Sequence, residues 1–537
     1  MPSTGRLGYL FAGRSAGVWD HNGLATSSIR RISGLRATMP DGAVLVADAW
    51  VPETGGPWPV LLQRLPYGRS VASTPVLPHP VWLARHGYAV VVQDVRGRGE
   101  SEGRFVPFVQ EAADGAATVE WVAGLDFSNG DVATYGFSYQ GLAQLYLAAE
   151  RPSSLRAIAP MMCCPDPYEG WTYEGGCLRW PFVALWSAQL AGQESRSGPI
   201  PYDINALPTS EALGSSPPPW FREWLEHPRD DSYWEARRPQ LEAIEVPAFT
   251  VLGYFDEFSS GTARLMSSLS PEAVCGPWSH MPWGSRAGDV ELGPEAGPAR
   301  VAEALVGFFD RVMKGGGQRS GQAVTYYIGG QGWRTGTQWP PDHSIRTYTC
   351  VSNGNANSRH GDGRLLEGTT TSGPSDLLVV QPLVPYPGTA MALENQAAAE
   401  DRRDVLCYTS EELSRDLTIL GSPRVIVSSQ SDVSHDLIAS VVWVSPDGTP
   451  RRLTTGARRG ESRSDGGSRR FDIELRPVAW TIPAGSRVRL DLSAGRFPEF
   501  DRNPHNSAVP IAEARPADFR TASLEITAAH LELPVGE

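Results

Sequence analysis

Ser138 has the surroundings that a serine nucleophile requires. Residues 131–141 read D-V-A-T-Y-G-F-S-Y-Q-G. Val132 to Tyr135 predict a short buried strand, Gly136 to Gly141 a nucleophile turn of the G-x-S-x-G kind, and Leu142 to Ala149 an apolar helix. Such a turn lifts the Ser138 hydroxyl above the sheet, and Gly136 and Gly141 leave room where a Cβ would meet neighbouring backbone. The helix then aims free N–H groups and its positive dipole end at the reacting centre. Gly13 to Gly17 match the same pattern, but no apolar strand precedes Ser15, so that match carries no catalytic expectation.

A serine attacks an acyl carbon only with a base in hydrogen-bond reach and an acid that orients the base. The chain has ten histidines. His280 follows the apolar run Ala273 to Gly276 in C-G-P-W-S-H, and Asp256 follows Pro247 to Tyr254 in G-Y-F-D. Both sit at strand ends, in the chain order serine, acid, histidine. His79 and His86 flank a helix ahead of the nucleophile, His227 lies in a Trp-rich segment, and His343, His360, His435, His505 and His530 lie in a β-rich region. Glu257 rivals Asp256, whose shorter side chain better suits a fixed acid. For the developing oxyanion the backbone N–H of Tyr139 is one donor. The other is the Tyr67 phenol in the turn L-P-Y-G, for which simple packing at the turn is the competing reading.

The elements that must hold these groups alternate. Ile29 to Thr38 and Ala43 to Val51 predict an antiparallel pair joined by Pro40-Asp41-Gly42. Strands at Val60 to Leu65, Tyr88 to Gln93 and Ala157 to Pro160 interleave with helices at Pro80 to His86 and Gln110 to Ala123. That alternation predicts a doubly wound α/β sheet. Residues 163–242, rich in Trp, Pro and charge, predict an inserted helical cap with helices at Trp180 to Leu190 and Trp220 to Glu226 and no strand. The sheet resumes at Pro247, and the amphipathic helix Ala299 to Met313 closes it before Gly315 to Gly317. The domains expected are therefore 1–162 with 243–317, including a leader arm over 1–28, then the cap, then a β-sandwich of jelly-roll type over 318–537. The last rests on short alternating runs such as Val324 to Ile328, Thr347 to Val351, Leu437 to Val444 and Ser486 to Leu492.

The net charge of −13 without a basic block argues against nucleic acid or an anionic membrane as partner. No apolar run of seven precedes Asp20 and no window approaches a membrane span, so a cytoplasmic protein is expected. Cys163, Cys164, Cys177, Cys275, Cys350 and Cys407 lack zinc or redox spacing.

Taken together, Pro66-Tyr67, the loop Asp94 to Gly103, Gly136 to Gly141, Gly253 to Asp256, Gly276 to His280 and F-P-E-F-D-R-N-P at 497–504 resemble the cocaine esterase branch of the X-Pro dipeptidyl-peptidase family. The resemblance implies an α/β-hydrolase fold with a helical cap and C-terminal jelly roll, and a triad of Ser138, Asp256 and His280 with Tyr67 at the oxyanion. It implies hydrolysis of a small-molecule ester or amide through an acyl-serine, with no cofactor and no metal; a homo-oligomer is compatible with it. The places of the acyl pocket fall on Trp171, Trp186 and Phe258, which favours an uncharged aromatic or aliphatic acyl group. Where amino-ester hydrolases of the family carry carboxylates, this chain has Phe258-Ser259-Ser260, and Asp166, Glu169 or Glu174 of the cap are the substitutes on offer. An X-Pro dipeptidyl aminopeptidase, an acyltransferase or cyclase, and a binding module with an idle triad are the competing functions.

Overall fold

The computed structural model describes residues 28–70, 76–194, 200–315, 323–369, 373–388, 393–460 and 468–536. Ser15 and the arm expected over 1–28, save its last residue, lie outside these, as do Gly316 and Gly317.

A six-stranded sheet runs in the order Ile29–Thr38, Val44–Pro52, Ala89–Asp94, Trp58–Leu65, Ser128–Phe137, Leu155–Met161. The first two pairings are antiparallel and the other three parallel. A parallel bridge between Ile158 and Ala248, with Met162 N donating to Val251 O at 2.9 Å, carries the sheet into Phe249–Phe255. Glu272–Ser279 and Val324–Ile328 follow in parallel, then Gly332–Gly336 antiparallel. Alternate residues of one strand serve opposite faces. Val60 and Leu62 pack with Leu142 and Leu145 of the helix Tyr139–Ala149, while Leu61 and Leu65 pack with Leu83, Leu305 and Phe309 of the helices Pro80–Arg85 and Ala299–Met313. Both faces are covered, as the near-continuous apolar strands require.

Several elements differ from the sequence reading. Val324–Ile328 joins the α/β sheet rather than the later β region, because its alternating pattern fits an edge position beside Glu272–Ser279 as well as a sandwich. A helix at Ser259–Leu269 was not anticipated, since S-S-G-T opens it with poor helix formers.

Residues 163–242 hold helices at Trp180–Glu194, Pro219–Glu226 and Ser232–Glu235. They also hold a small hairpin, Tyr173–Glu174 with Cys177–Leu178, where no strand was expected. Among the described residues after Gly336, apart from the short helix Ala397–Glu400 and two 3-10 turns, the structure is a twelve-stranded, nearly closed sheet in which the long strand Ala522–Gly536 pairs with four others.

The loop 497–504 clamps the hairpin to this β region. Asp501 N donates to Leu178 O at 3.1 Å, and Arg459 N donates to Gly175 O at 2.7 Å. Glu499 takes Arg452 at 2.8 Å, Arg476 at 2.9 Å and Arg496 at 2.7 Å, and Arg476 also reaches Glu174 of the hairpin at 2.6 Å. Burial alone would raise the Glu499 carboxyl, but the three guanidiniums outweigh it and hold it far below the usual carboxylate range. All six cysteines are buried and unpaired. Among the described residues no helix is long and apolar enough to cross a membrane.

Candidate active site

Ser138 joins the strand Ser128–Phe137 to the helix Tyr139–Ala149 with φ 62° and ψ −132°, a conformation that non-glycine residues rarely adopt. Its spacing corrects the motif: Gln140 stands two places after the serine and Gly141 three, so the turn is G-x-S-x-x-G. Gly136, at φ 153°, faces Gln140, whose Cβ would stand 2.5 Å from an added Cβ. Gln140 Oε1 is held by Gln63 Nε2 at 2.8 Å. A Cβ on Gly141 would meet Cys163 Cβ at 2.9 Å and Met161 O at 3.1 Å. The room that both glycines leave is thus taken chiefly by packed side chains, with backbone atoms of Gln140 and Met161 beside them.

Asp256, fully buried, ends the strand Phe249–Phe255, and its Oδ1 stands 2.8 Å from His280 Nδ1. Glu257 does not share this contact; it pairs with Arg179 at 3.4 Å. Burial is the largest influence on His280 and disfavours the imidazolium. The charge and hydrogen bond of Asp256, with Glu257 adding and Arg179 opposing, leave the ring's pKa above its ordinary 6.5. The His280 ring also lies 5.4 Å from that of Phe137, the residue before Ser138.

Tyr67 accepts a hydrogen bond from Trp186 Nε1 at 3.1 Å. Burial pushes its phenol up to about 12, against opposing hydrogen bonds from Trp186 and Ser138, so the hydroxyl remains a donor at neutral pH. Arg98, from the loop after Ala89–Asp94, fixes this turn by donating to Pro66 O at 2.8 Å and to Leu190 O of the helix Trp180–Glu194 at 2.9 Å. Tyr139 opens the helix, and its phenol is anchored away from the serine on Glu111 at 3.0 Å. Glu111 is in turn paired with buried Arg64 at 2.6 Å.

The three aromatic residues named for an acyl pocket come together beside these groups. Phe258 stacks on Trp171 at 4.9 Å between ring centroids and stands edge-on to His280 at 5.2 Å. Trp171 meets Trp186 at 5.7 Å. Phe182 completes the set, 5.3 Å from both Trp171 and Phe258. The sequence reading missed it, although Phe182 and Trp186 stand four apart and share one face of the helix Trp180–Glu194. Arg179 lies over the rings of Phe182 and Phe258 at 5.2 and 5.1 Å and donates to Trp171 O at 3.2 Å. A guanidinium so placed adds cation–π attraction and locks the ring orientations.

The carboxylates expected within residues 163–242 have other partners. Asp166 accepts from Tyr168 N at 2.8 Å and pairs with Arg238 at 2.9 Å. Glu169 accepts from Gly175 N at 3.1 Å, and Glu174 pairs with Arg476.

A strained serine between strand and helix, an acid–histidine pair at the ends of later strands and an aromatic enclosure define a serine hydrolase of the α/β class. Residues 41–282 match the model of the X-Pro dipeptidyl-peptidase (S15 family), and residues 316–531 match its C-terminal non-catalytic domain. The chain belongs to that family, in its cocaine esterase-like branch. It is 30% identical to the cocaine esterase of Rhodococcus sp. strain MB1 Bresler, over 94% of this chain and 98% of that one. A putative serine esterase of Mycobacterium bovis is 24% identical over 59% of this chain and 62% of its own. Among solved structures, an aminopeptidase from a marine sediment Thaumarchaeota archaeon shares the fold with a TM-score of 0.81 at 21% identity, covering 95% and 96% of the two chains. An α-amino acid ester hydrolase does so at 0.79 and 21%, covering 98% and 99%.

Proposed function

We propose that this serine hydrolase cleaves esters or amides of uncharged aromatic or aliphatic acids through an acyl-Ser138 intermediate. His280 removes the Ser138 proton as the hydroxyl attacks the acyl carbon and returns it to the leaving group; Asp256 orients the ring. The Tyr67 hydroxyl and the Tyr139 N–H receive the negative charge that develops on the acyl oxygen. A water activated by His280 then releases the acid. The observation that carries this reading is the 2.8 Å His280–Asp256 bond set edge-on against Phe258 of the aromatic enclosure.

Trp171, Trp186 and Phe258 form an apolar acyl pocket in this reading, with Phe182 as a fourth wall. The engagement of Asp166, Glu169 and Glu174 elsewhere favours an uncharged acyl group over one bearing an ammonium. Parallel kcat/KM measurements on aryl and alkyl esters, on α-amino acid esters and on an X-Pro anilide test it. The proposal expects the first group to lead by at least about tenfold, the worth of one missing ion contact; a lead for either amine substrate overturns the pocket assignment. Product analysis with added alcohols or amines separates hydrolysis from acyl transfer.

The remaining parts of the reading are the jelly-roll topology and the domain limits at 162, 242 and 317. A cytoplasmic site is likewise inferred, and the six unpaired buried thiols support it.

A further inference from the structure

The triad acid has a second oxygen that the site described above does not use. Asp256 Oδ2 is buried and has no hydrogen-bond partner among the described residues. A buried carboxylate oxygen left so is costly, and a small polar cavity beside one is a place for water. Such a cavity adjoins Asp256. It is walled on one side by Tyr254, Phe255 and Asp256 of the α/β sheet and on the other by Arg452, Leu453, Thr454, Thr455 and Arg476 of the β region. Its volume of about 10 Å³ for a water's centre matches a single molecule.

The far wall is ordered independently. Thr455 Oγ1 accepts from Arg452 Nη1 at 3.2 Å and shares a 2.9 Å hydrogen bond with Ser440, and Thr454 Oγ1 donates to Arg476 O. Three guanidiniums, Arg452, Arg476 and Arg496, are set against two carboxylates, Glu174 and Glu499. The cavity brings Arg452 and Arg476 of this cluster to face Asp256. Burial and the nearby Arg496, against the opposing pull of Glu499, bring the Arg452 guanidinium down to about 10.

We propose that one water in this cavity bridges Asp256 Oδ2 to Arg452 and the Thr454–Thr455 wall, so that the β region positions the catalytic acid. The inference rests on the triad reading. Arg452 acts through Asp256 and is a positioning residue. Removing its charge leaves the Asp256 field on His280 less opposed, which raises the imidazole pKa further.

The test compares wild type, Arg452→Gln, Arg452→Lys, Thr455→Val and Ser138→Ala on one aryl ester across pH. Arg452→Gln is expected to lower kcat on the order of tenfold, the lower end of what outer partners of an oriented imidazole cost, with KM unchanged. The acidic limb of its kcat/KM profile is expected to move to higher pH, and Arg452→Lys to restore the limb. A folded Arg452→Gln with the wild-type limb overturns the proposal. Should Arg452→Gln fail to fold, Thr455→Val decides through kcat at constant KM, and an unchanged kcat overturns it. A high-resolution crystal structure with the cavity empty of water also does so. Turnover retained by Ser138→Ala would instead refute the triad reading itself.

Discussion

The two ends of the candidate site are held by different kinds of force. Ser138 is fixed chiefly by its near neighbourhood, two glycines, a strand before it and a helix after it within residues 128–149, with Gln63 and the strand end at Met161 packed against the turn. His280 and Asp256 meet across 24 residues, and the wall behind Asp256 comes from residues nearly two hundred positions later. The serine turn is thus mostly a local property of sequence, whereas the environment of Asp256 depends on the docking of the β region.

That contrast predicts how the site breaks. Ser138→Ala, His280→Ala and the double variant are each expected to lose about 10⁶ in kcat, without further loss in the double, because the residues act as a unit. Single-turnover kinetics on the three proteins check this. Glu499→Ala strikes the remote support instead. It leaves buried guanidiniums without their shared carboxylate, a kind of loss that typically costs about 3–5 kcal/mol. The expected result is a lowered Tm and a loosened hairpin by hydrogen exchange at 173–178, with the Ser138 turn still protected.

Smaller effects sharpen the same comparison. Tyr67→Phe is expected to lower kcat by about 10²–10³, as loss of one oxyanion donor does, with little change in KM. The raised pKa of His280 sets the pH response. A base must be neutral, so kcat/KM rises with pH through an apparent pKa above 6.5, and stability contributed by the Asp256 pair is full below 6.5 and fades as pH passes that raised value. A limb at or below 6.5 would mean that Asp256 does not outweigh burial.

The same division explains what could be read from the chain. Ser138, Asp256, His280 and Tyr67 stand at strand ends or in turns whose flanks are apolar and regular, so position alone singled them out. The strand Pro450–Gly460 carries arginines at 451, 452, 458 and 459, on both faces, and was not singled out as a strand. Burial of Arg452 and near-burial of Arg459 only make sense once Glu499, Asp436 and Asp501 are in place. Arg179 and Arg98 were silent for the same reason: each acts through backbone carbonyls and rings that the fold, not the sequence, brings near. The extra residue in the serine turn escaped notice because Gln140 fills a place that the shorter motif gives to glycine.

The central claim is that Ser138 carries the acyl group. Intact-mass analysis of wild type and Ser138→Ala after exposure to a fluorophosphonate and to a short panel of acyl esters tests it most directly. The account predicts one adduct per chain in wild type, located to the peptide containing Ser138, and none in the variant. An adduct that persists in Ser138→Ala, or a folded wild type that forms none, would contradict it.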